Sequence, residues 1–149
     1  MSLESRIMGD LKAAMKAKDQ ASIRSIRAIK AAILLAKTDG SGKELDEAGE
    51  IKMVQKLVKQ RQDSLEIYEK QGREDLAVTE REEIEVLKKY LPEQMSESDL
   101  KAFIEALIGE VGASSMKDMG KVMGLANQRL AGKADGKTIS VIVRQLLSA

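Results

Sequence analysis

The chain has 149 residues, 43% of them apolar and 33% charged, with a formal net charge of +1. It contains no histidine and no cysteine, which excludes Ser-His-Asp triads, cysteine nucleophiles, disulfides, structural zinc sites and His-ligated metals. Tyr68, Tyr90 and Phe103 are the only aromatic residues, so a core must be built from aliphatic side chains and methionine.

Ser2 is placed to cap a first helix with Leu3, Ile7, Leu11 and Met15 on one side. The residues from Met1 to Asp10 hold no long apolar run, and nothing reaches the length of a membrane span. A cytoplasmic protein without a membrane contact is the expectation. Asp19 reads as the next N-cap, opening a helix with Ile23, Ile26, Ala28, Ile29 and Ile33 inward. Asp39-Gly-Ser-Gly42 then breaks the chain. A long helix from about Asp46 to Gln71 follows, with Ile51, Val54, Leu57, Val58, Leu65 and Tyr68 as its apolar face and a length of roughly 37 Å. Gly72 ends it, and a helix from about Glu74 to Leu91 should bury Leu76, Ile84, Leu87 and Leu91.

Pro92 disfavours helical geometry at Leu91 and marks a boundary. Residues 1–92 form one expected domain, a helical bundle, and residues 96–149 a second. The second, about 54 residues, would be marginal alone. Ser96 with Asp99 makes a capping-box signature for a helix carrying Leu100, Phe103, Ile104 and Leu107 to Gly112. Ser115 with Asp118 makes another. Met119, Met123, Ala126 and Leu130 recur at helical spacing as a buried stripe, with Lys117, Lys121, Gly124 and Gln128 as a second, polar one. Gly132 is a natural stop, and Ala134-Asp135-Gly136 a turn into the last helix. No segment alternates with period two for long enough to read as a strand. The fold class is all-α, an N-terminal bundle followed by a small three-helix tail.

Gly120 and Gly124 lie inside a helix, where each costs about 1 kcal/mol relative to alanine. A pair four apart bares one side of the helix. Either another helix packs there, or a groove beside Lys117 and Lys121 admits a phosphate backbone. The net charge is also unevenly spread: residues 1–40 carry +4, 41–95 carry −4, 96–111 carry −3 and 112–149 carry +4. Basic ends are where a polyanion would dock. The nucleic-acid-binding candidates are Lys117, Lys121, Gly124, Arg129, Lys133, Lys137 and Arg144. Lys12, Lys16, Arg24, Arg27 and Lys30 are a second basic set that could extend the surface.

Three further patterns have bland readings. Ser114-Ser-Met-Lys117 fits Ser-x-x-Lys, yet its supporting elements are missing and it sits at a helix start. Ala131 to Thr138 approximates a phosphate-binding loop, but follows a helix rather than a strand. Glu80, Glu82, Glu83 and Glu85 wrap around their helix, with Arg81, Lys88 and Lys89 near enough to pair, and read as a solvated face. No metal, cofactor or catalytic constellation is expected.

Gly120-Lys-Val-Met-Gly124, Gly132-Lys-Ala-Asp-Gly136 and Val141-Ile-Val-Arg-Gln-Leu-Leu147 resemble the YqeY family, whose C-terminal half is similar to the tail domain of GatB, a subunit of the tRNA-dependent amidotransferase. The resemblance covers the whole chain, through Leu11-Lys-Ala-Ala-Met-Lys16, Val58-Lys-Gln-Arg-Gln-Asp-Ser64 and Tyr90-Leu-Pro-Glu-Gln94. It departs at the turn, where GatB tails often carry Ala-Asn-Pro and Ala134-Asp135-Gly136 stands here. The resemblance implies a non-catalytic accessory protein that binds tRNA through its basic C-terminal hairpin. It implies a shared recognition module, not the glutamine-dependent carbon–nitrogen ligase chemistry sometimes attached to the family name. The alternatives are a protein-interaction module docking on a tRNA-handling complex, and an enzyme working through Ser114 and Lys117.

Overall fold

Most of the helices begin where a short polar side chain accepts one of the first free backbone N–H groups. The structure, a computed structural model, describes residues 2–39 and 45–148. α1 (Leu3–Ala17) starts at Ser2, whose Oγ accepts the Ser5 N–H at 3.1 Å. α2 (Gln20–Lys37) starts at Asp19, which accepts the Ser22 N–H at 3.2 Å. α3 (Glu47–Lys70) starts at Asp46, which accepts the Gly49 N–H at 2.7 Å. α5 (Glu97–Val111) starts at Ser96, accepting the Asp99 N–H at 3.2 Å, and ends on Gly112 at φ 69°, where a left-handed residue closes the helix. α4 (Glu74–Lys88) has no side-chain cap; Arg73 instead pairs with Asp75. α6 (Met119–Arg129) continues from a single 3-10 turn, Met116–Asp118, and α7 (Gly136–Ser148) closes the chain. No strand occurs among the described residues. The protein is all-α.

α4 stops at Lys88, short of Leu91. The N–H groups of Lys89, Tyr90 and Leu91 each bond the carbonyl three residues back, at 3.0 to 3.1 Å. The helix thus tightens before Pro92, as the restriction on the residue preceding proline demands. Of the break at Asp39-Gly-Ser-Gly42, residues 40–42 lie outside the described residues.

Internal packing divides the chain into two units, Met1–Leu91 and Pro92–Ala149. In the first, α1 packs on α2, α2 on α4, and α4 on α3. Leu3, Ile7 and Ala14 meet Ile23, Ile26, Ile29 and Ile33, with Val54, Val58, Ile84 and Leu87. Two expected core positions face solvent instead: Met15 and Leu76 are exposed, and their neighbours Ala14 and Ala77 are buried. One step along a helix turns a side chain about 100°, and the tertiary neighbours chose the small residue at both places. Along α3 only Val54 and Val58 are fully buried; Ile51, Leu57, Leu65 and Tyr68 are half-buried.

The α4 carboxylates divide: Glu82 and Glu85 are exposed, as a solvated face requires, while Glu80 and Glu83 are half-buried. Glu83 lies 3.2 Å from Arg24 of α2 and 2.8 Å from Arg61 of α3, and Glu82 lies 3.1 Å from Arg24. The Arg61 Nε–H is not aimed at Glu83 and makes no hydrogen bond, and Glu80 Oε2 is buried without one. Desolvation, then the Glu83 charge, push the Glu80 carboxyl above its ordinary value, with Arg61 pulling the other way. Arg81 turns away from the cluster, pairing with Glu74 and with Glu69 of α3. At the other edge, the Tyr90 hydroxyl donates to Asp10 at 2.6 Å under the Arg6 guanidinium, which sits 4.6 Å from the ring centre.

In the second unit Leu100, Ile104 and Leu107 of α5 pack with Val122 and Ala126 of α6, Leu130 after it, and Ile139, Ile142, Val143 and Leu147 of α7. Val122 is fully buried, whereas Met119 and Met123 are half-buried at the flanks. The inward stripe of α6 is therefore rotated from the expected one.

Candidate nucleic-acid interface

The approach to α6 is fixed by local bonds. Ser115 Oγ accepts the Lys117 N–H at 3.4 Å, and the Asp118 carboxylate accepts the N–H groups of Ser114 and Ser115 at 2.9 and 3.3 Å. These two backbone bonds, more than the nearby Lys121 charge, hold the Asp118 carboxyl below its usual range. Ser114 thus serves the cap through its backbone, and no hydrogen bond joins its hydroxyl to Lys117. That geometry gives the Ser114/Lys117 pair a capping role.

With Val122 and Ala126 inward, Lys121, Gly124 and Gln128 are left on the outer side of α6, all exposed. A Cβ added at Gly120 or Gly124 would meet nothing within 4 Å. No helix of this unit packs on that bared backbone. The glycine pair opens to solvent, with Lys117 and Lys121 beside it.

Arg129 does not belong with these cations. Both its terminal nitrogens donate to Glu110 at the end of α5, at 2.8 and 2.9 Å. A bidentate pair of this kind fixes and neutralises the guanidinium. The first cause of the low Glu110 carboxyl is this hydrogen bonding.

The turn after α6 is held from behind. Gly132 sits at φ 79°, a left-handed position natural to glycine, and is buried. Gln94 Nε2 donates to the Gly132 carbonyl at 2.6 Å, and the Met95 N–H donates to the Lys133 carbonyl at 3.0 Å. The Lys133 N–H returns to Leu130 at 2.8 Å. Since that N–H is engaged internally, the turn offers the exposed Lys133 ammonium and not a backbone cradle. Asp135 then opens α7, accepting the Thr138 N–H at 2.7 Å. Burial of Ile139, Ile142, Val143 and Leu147 leaves Lys137, Val141 and Arg144, at i, i+4 and i+7, on the exposed side.

Lys117, Lys121, Lys133, Lys137 and Arg144 are all exposed, and among the described residues none lies within ion-pair distance of a carboxylate. The partners of Gln94, which anchors the turn, and of Glu110, which withdraws Arg129, were not legible in the sequence, because each acts across 19 residues or more. In the first unit, Arg24 is committed to Glu82 and Glu83, while Lys12, Lys16, Arg27 and Lys30 make no ion pair among the described residues.

A family model described as "Yqey-like protein" matches residues 4–147. Among curated relatives, the "Altered inheritance of mitochondria protein 41, mitochondrial" of Lachancea thermotolerans is 38% identical over 108 residues, 71% of this chain and 58% of that protein. The protein of that description from Saccharomyces cerevisiae (strain YJM789) is 33% identical over 119 residues, 76% of this chain and 64% of its own length. That of Pyrenophora tritici-repentis is 29% identical over 147 residues, 97% of this chain and 80% of its own length. The chain thus spans about three-fifths of the length of the first two relatives.

Proposed function

The chain belongs to the Yqey-like protein family, and on that premise we propose that it is a non-catalytic accessory protein whose second unit binds tRNA through its phosphates. The observation that carries this reading is the bared outer side of α6: Gly120 and Gly124 open to solvent beside Lys117 and Lys121, whose ammonium groups lie within ion-pair distance of no carboxylate among the described residues. Two internal glycines weaken a helix, and, the helix's own backbone aside, no atom of the described residues comes within 4 Å of the space they leave. A close approach of a sugar-phosphate backbone would use it. Lys133, Lys137 and Arg144 supply further cations. The scarcity of aromatic residues fits recognition of a folded RNA by shape and charge rather than of an unpaired strand by stacking. The likeness of the C-terminal motifs to the GatB tail domain supports tRNA as the RNA. The compartment is one in which tRNA is handled, the cytoplasm or, as the relatives' description suggests, mitochondria.

A gel shift with unfractionated tRNA across a salt series tests this. Each phosphate neutralised adds about 0.9 to the negative slope of log affinity against log salt, so three contacts give a loss of roughly 40-fold between about 50 and 200 mM. Lys121→Glu with Lys133→Glu should abolish the shift. No shift at low salt, or a shift indifferent to salt, overturns the reading. Exposed Val141 between Lys137 and Arg144 favours a second reading, a protein partner in a tRNA-handling complex, which the double variant would leave bound.

A further inference from the structure

The outer side of the α1/α2 hairpin carries apolar residues and unpaired cations that the second unit's proposed role does not use. Lys37 Nζ lies 2.7 Å from Glu4, tying the end of α2 to the start of α1 and marking the outer seam of the antiparallel pair. Counting from that tie by helical spacing, Met8, Lys12 and Met15 share the side of α1 that bears Glu4. Leu34, Lys30 and Arg27 share the side of α2 that bears Lys37. The two stripes therefore run alongside each other. Their apolar members are open to water: Met8 is 63% exposed, Met15 53%, Leu34 62% and the adjacent Leu35 70%. Lys12, Lys16, Arg27 and Lys30 make no ion pair among the described residues. Past the Glu4–Lys37 tie, these stripes hold no carboxylate. A surface of this composition fits an anionic occupant that also accepts apolar side chains.

The geometry points to an anionic phospholipid surface as the occupant, with the hairpin lying flat on it. A partner helix seeks a continuous apolar stripe at a groove. Here lysine and arginine interrupt the apolar residues, so the surface meets phosphates and an apolar layer at once. Long cationic side chains lay their stems along the surface and reach phosphates, while methionine and leucine enter the acyl boundary. There is no tryptophan in the chain, and its three aromatic residues lie elsewhere, so attachment is reversible and salt-sensitive. It is also separate from membrane crossing: no helix among the described residues is long and apolar enough for that.

Flotation of the full chain with phosphatidylcholine vesicles, with and without roughly 30 mol% phosphatidylglycerol, tests this at low and high salt. Partition onto the anionic vesicles is expected to exceed that onto phosphatidylcholine alone by about tenfold or more, and to fall about tenfold from roughly 50 to 500 mM salt. Lys12→Glu with Lys30→Glu should abolish it. Met8→Ser with Leu34→Ser should lower it several-fold, with helix content unchanged by circular dichroism. Lys117→Glu with Lys121→Glu should leave it intact. Absence of flotation at low salt, or equal flotation on both vesicles, overturns the proposal. So does a Met8/Leu34 variant that binds anionic vesicles as well as the parent, since that marks a general polyanion or acidic-protein surface.

Discussion

Arg129 holds Glu110 through both of its terminal guanidinium nitrogens, at 2.8 and 2.9 Å, joining the end of α6 to the end of α5. Of the cations in the C-terminal hairpin, this one is neutralised within the fold. Arg129→Gln should therefore leave tRNA affinity and its salt slope unchanged, whereas Lys121→Gln should reduce the slope by about 1. Glu110→Gln, by freeing the guanidinium, should strengthen binding at low salt. Gel-shift titrations of the three variants side by side check the order.

Gly120 and Gly124 leave open space where a methyl group would stand. Alanine at either position should stabilise the protein by about 1 kcal/mol, because nothing is displaced and helix propensity rises. If the bared backbone receives RNA, the same substitutions should weaken binding while raising the melting temperature. Thermal unfolding and gel shift on one preparation separate the two effects.

The Glu80 carboxyl is raised by desolvation first and the Glu83 charge second. A folded-state value above the unfolded one means that the protonated form suits the fold. Its contribution is present below the unfolded value, about 4.3, and lost as pH rises through the folded value. At neutral pH the buried charge is a penalty. Glu80→Gln should raise the melting temperature at pH 7, and the gain should shrink as pH falls toward 4. Unfolding curves of both proteins across that range check the sign.

Gln94 donates to the Gly132 carbonyl at 2.6 Å. Gln94→Ala removes the partner of a carbonyl on a buried glycine, at an expected cost of about 1–2 kcal/mol. Lys133 should then be less firmly presented, with a loss of tRNA affinity greater than its distance from the basic residues suggests. Denaturant unfolding and a gel shift measure both.

The Ser115/Asp118 cap depends on an ionised carboxylate. Asp118 is held low by the Ser114 and Ser115 N–H groups. A depressed value means that its contribution is present above the ordinary aspartate range, and lost as pH falls through the depressed one. Asp118→Asn should reproduce at pH 7 the fraying of the α6 start that acid produces in the parent, seen as faster amide exchange over residues 114–119.

The element starts were legible because capping is local. Ser2, Asp19, Asp46 and Ser96 each bond an N–H three residues ahead, and Ser115 and Asp118 bond within the same short turn. Side-chain direction was less legible. A period of 3.6 residues tolerates a rotation of the apolar stripe, so Val122 replaced Met123 at the centre of α6, and Ala14 and Ala77 went inward in place of Met15 and Leu76. Charge pairing was hidden altogether: Arg24 reaches Glu83 across 59 residues, and no spacing rule spans that distance.

By itself, then, the amino-acid order determined an all-helical chain, the caps at Ser2, Asp19, Asp46 and Ser96, and two basic ends, since these follow from contacts within a few residues and from composition. Only the tertiary structure decided which cations remain unpaired, which glycines open to solvent, and which methionines and leucines stay outside. Those outcomes depend on what each helix finds beside it, and its neighbours come from distant parts of the chain.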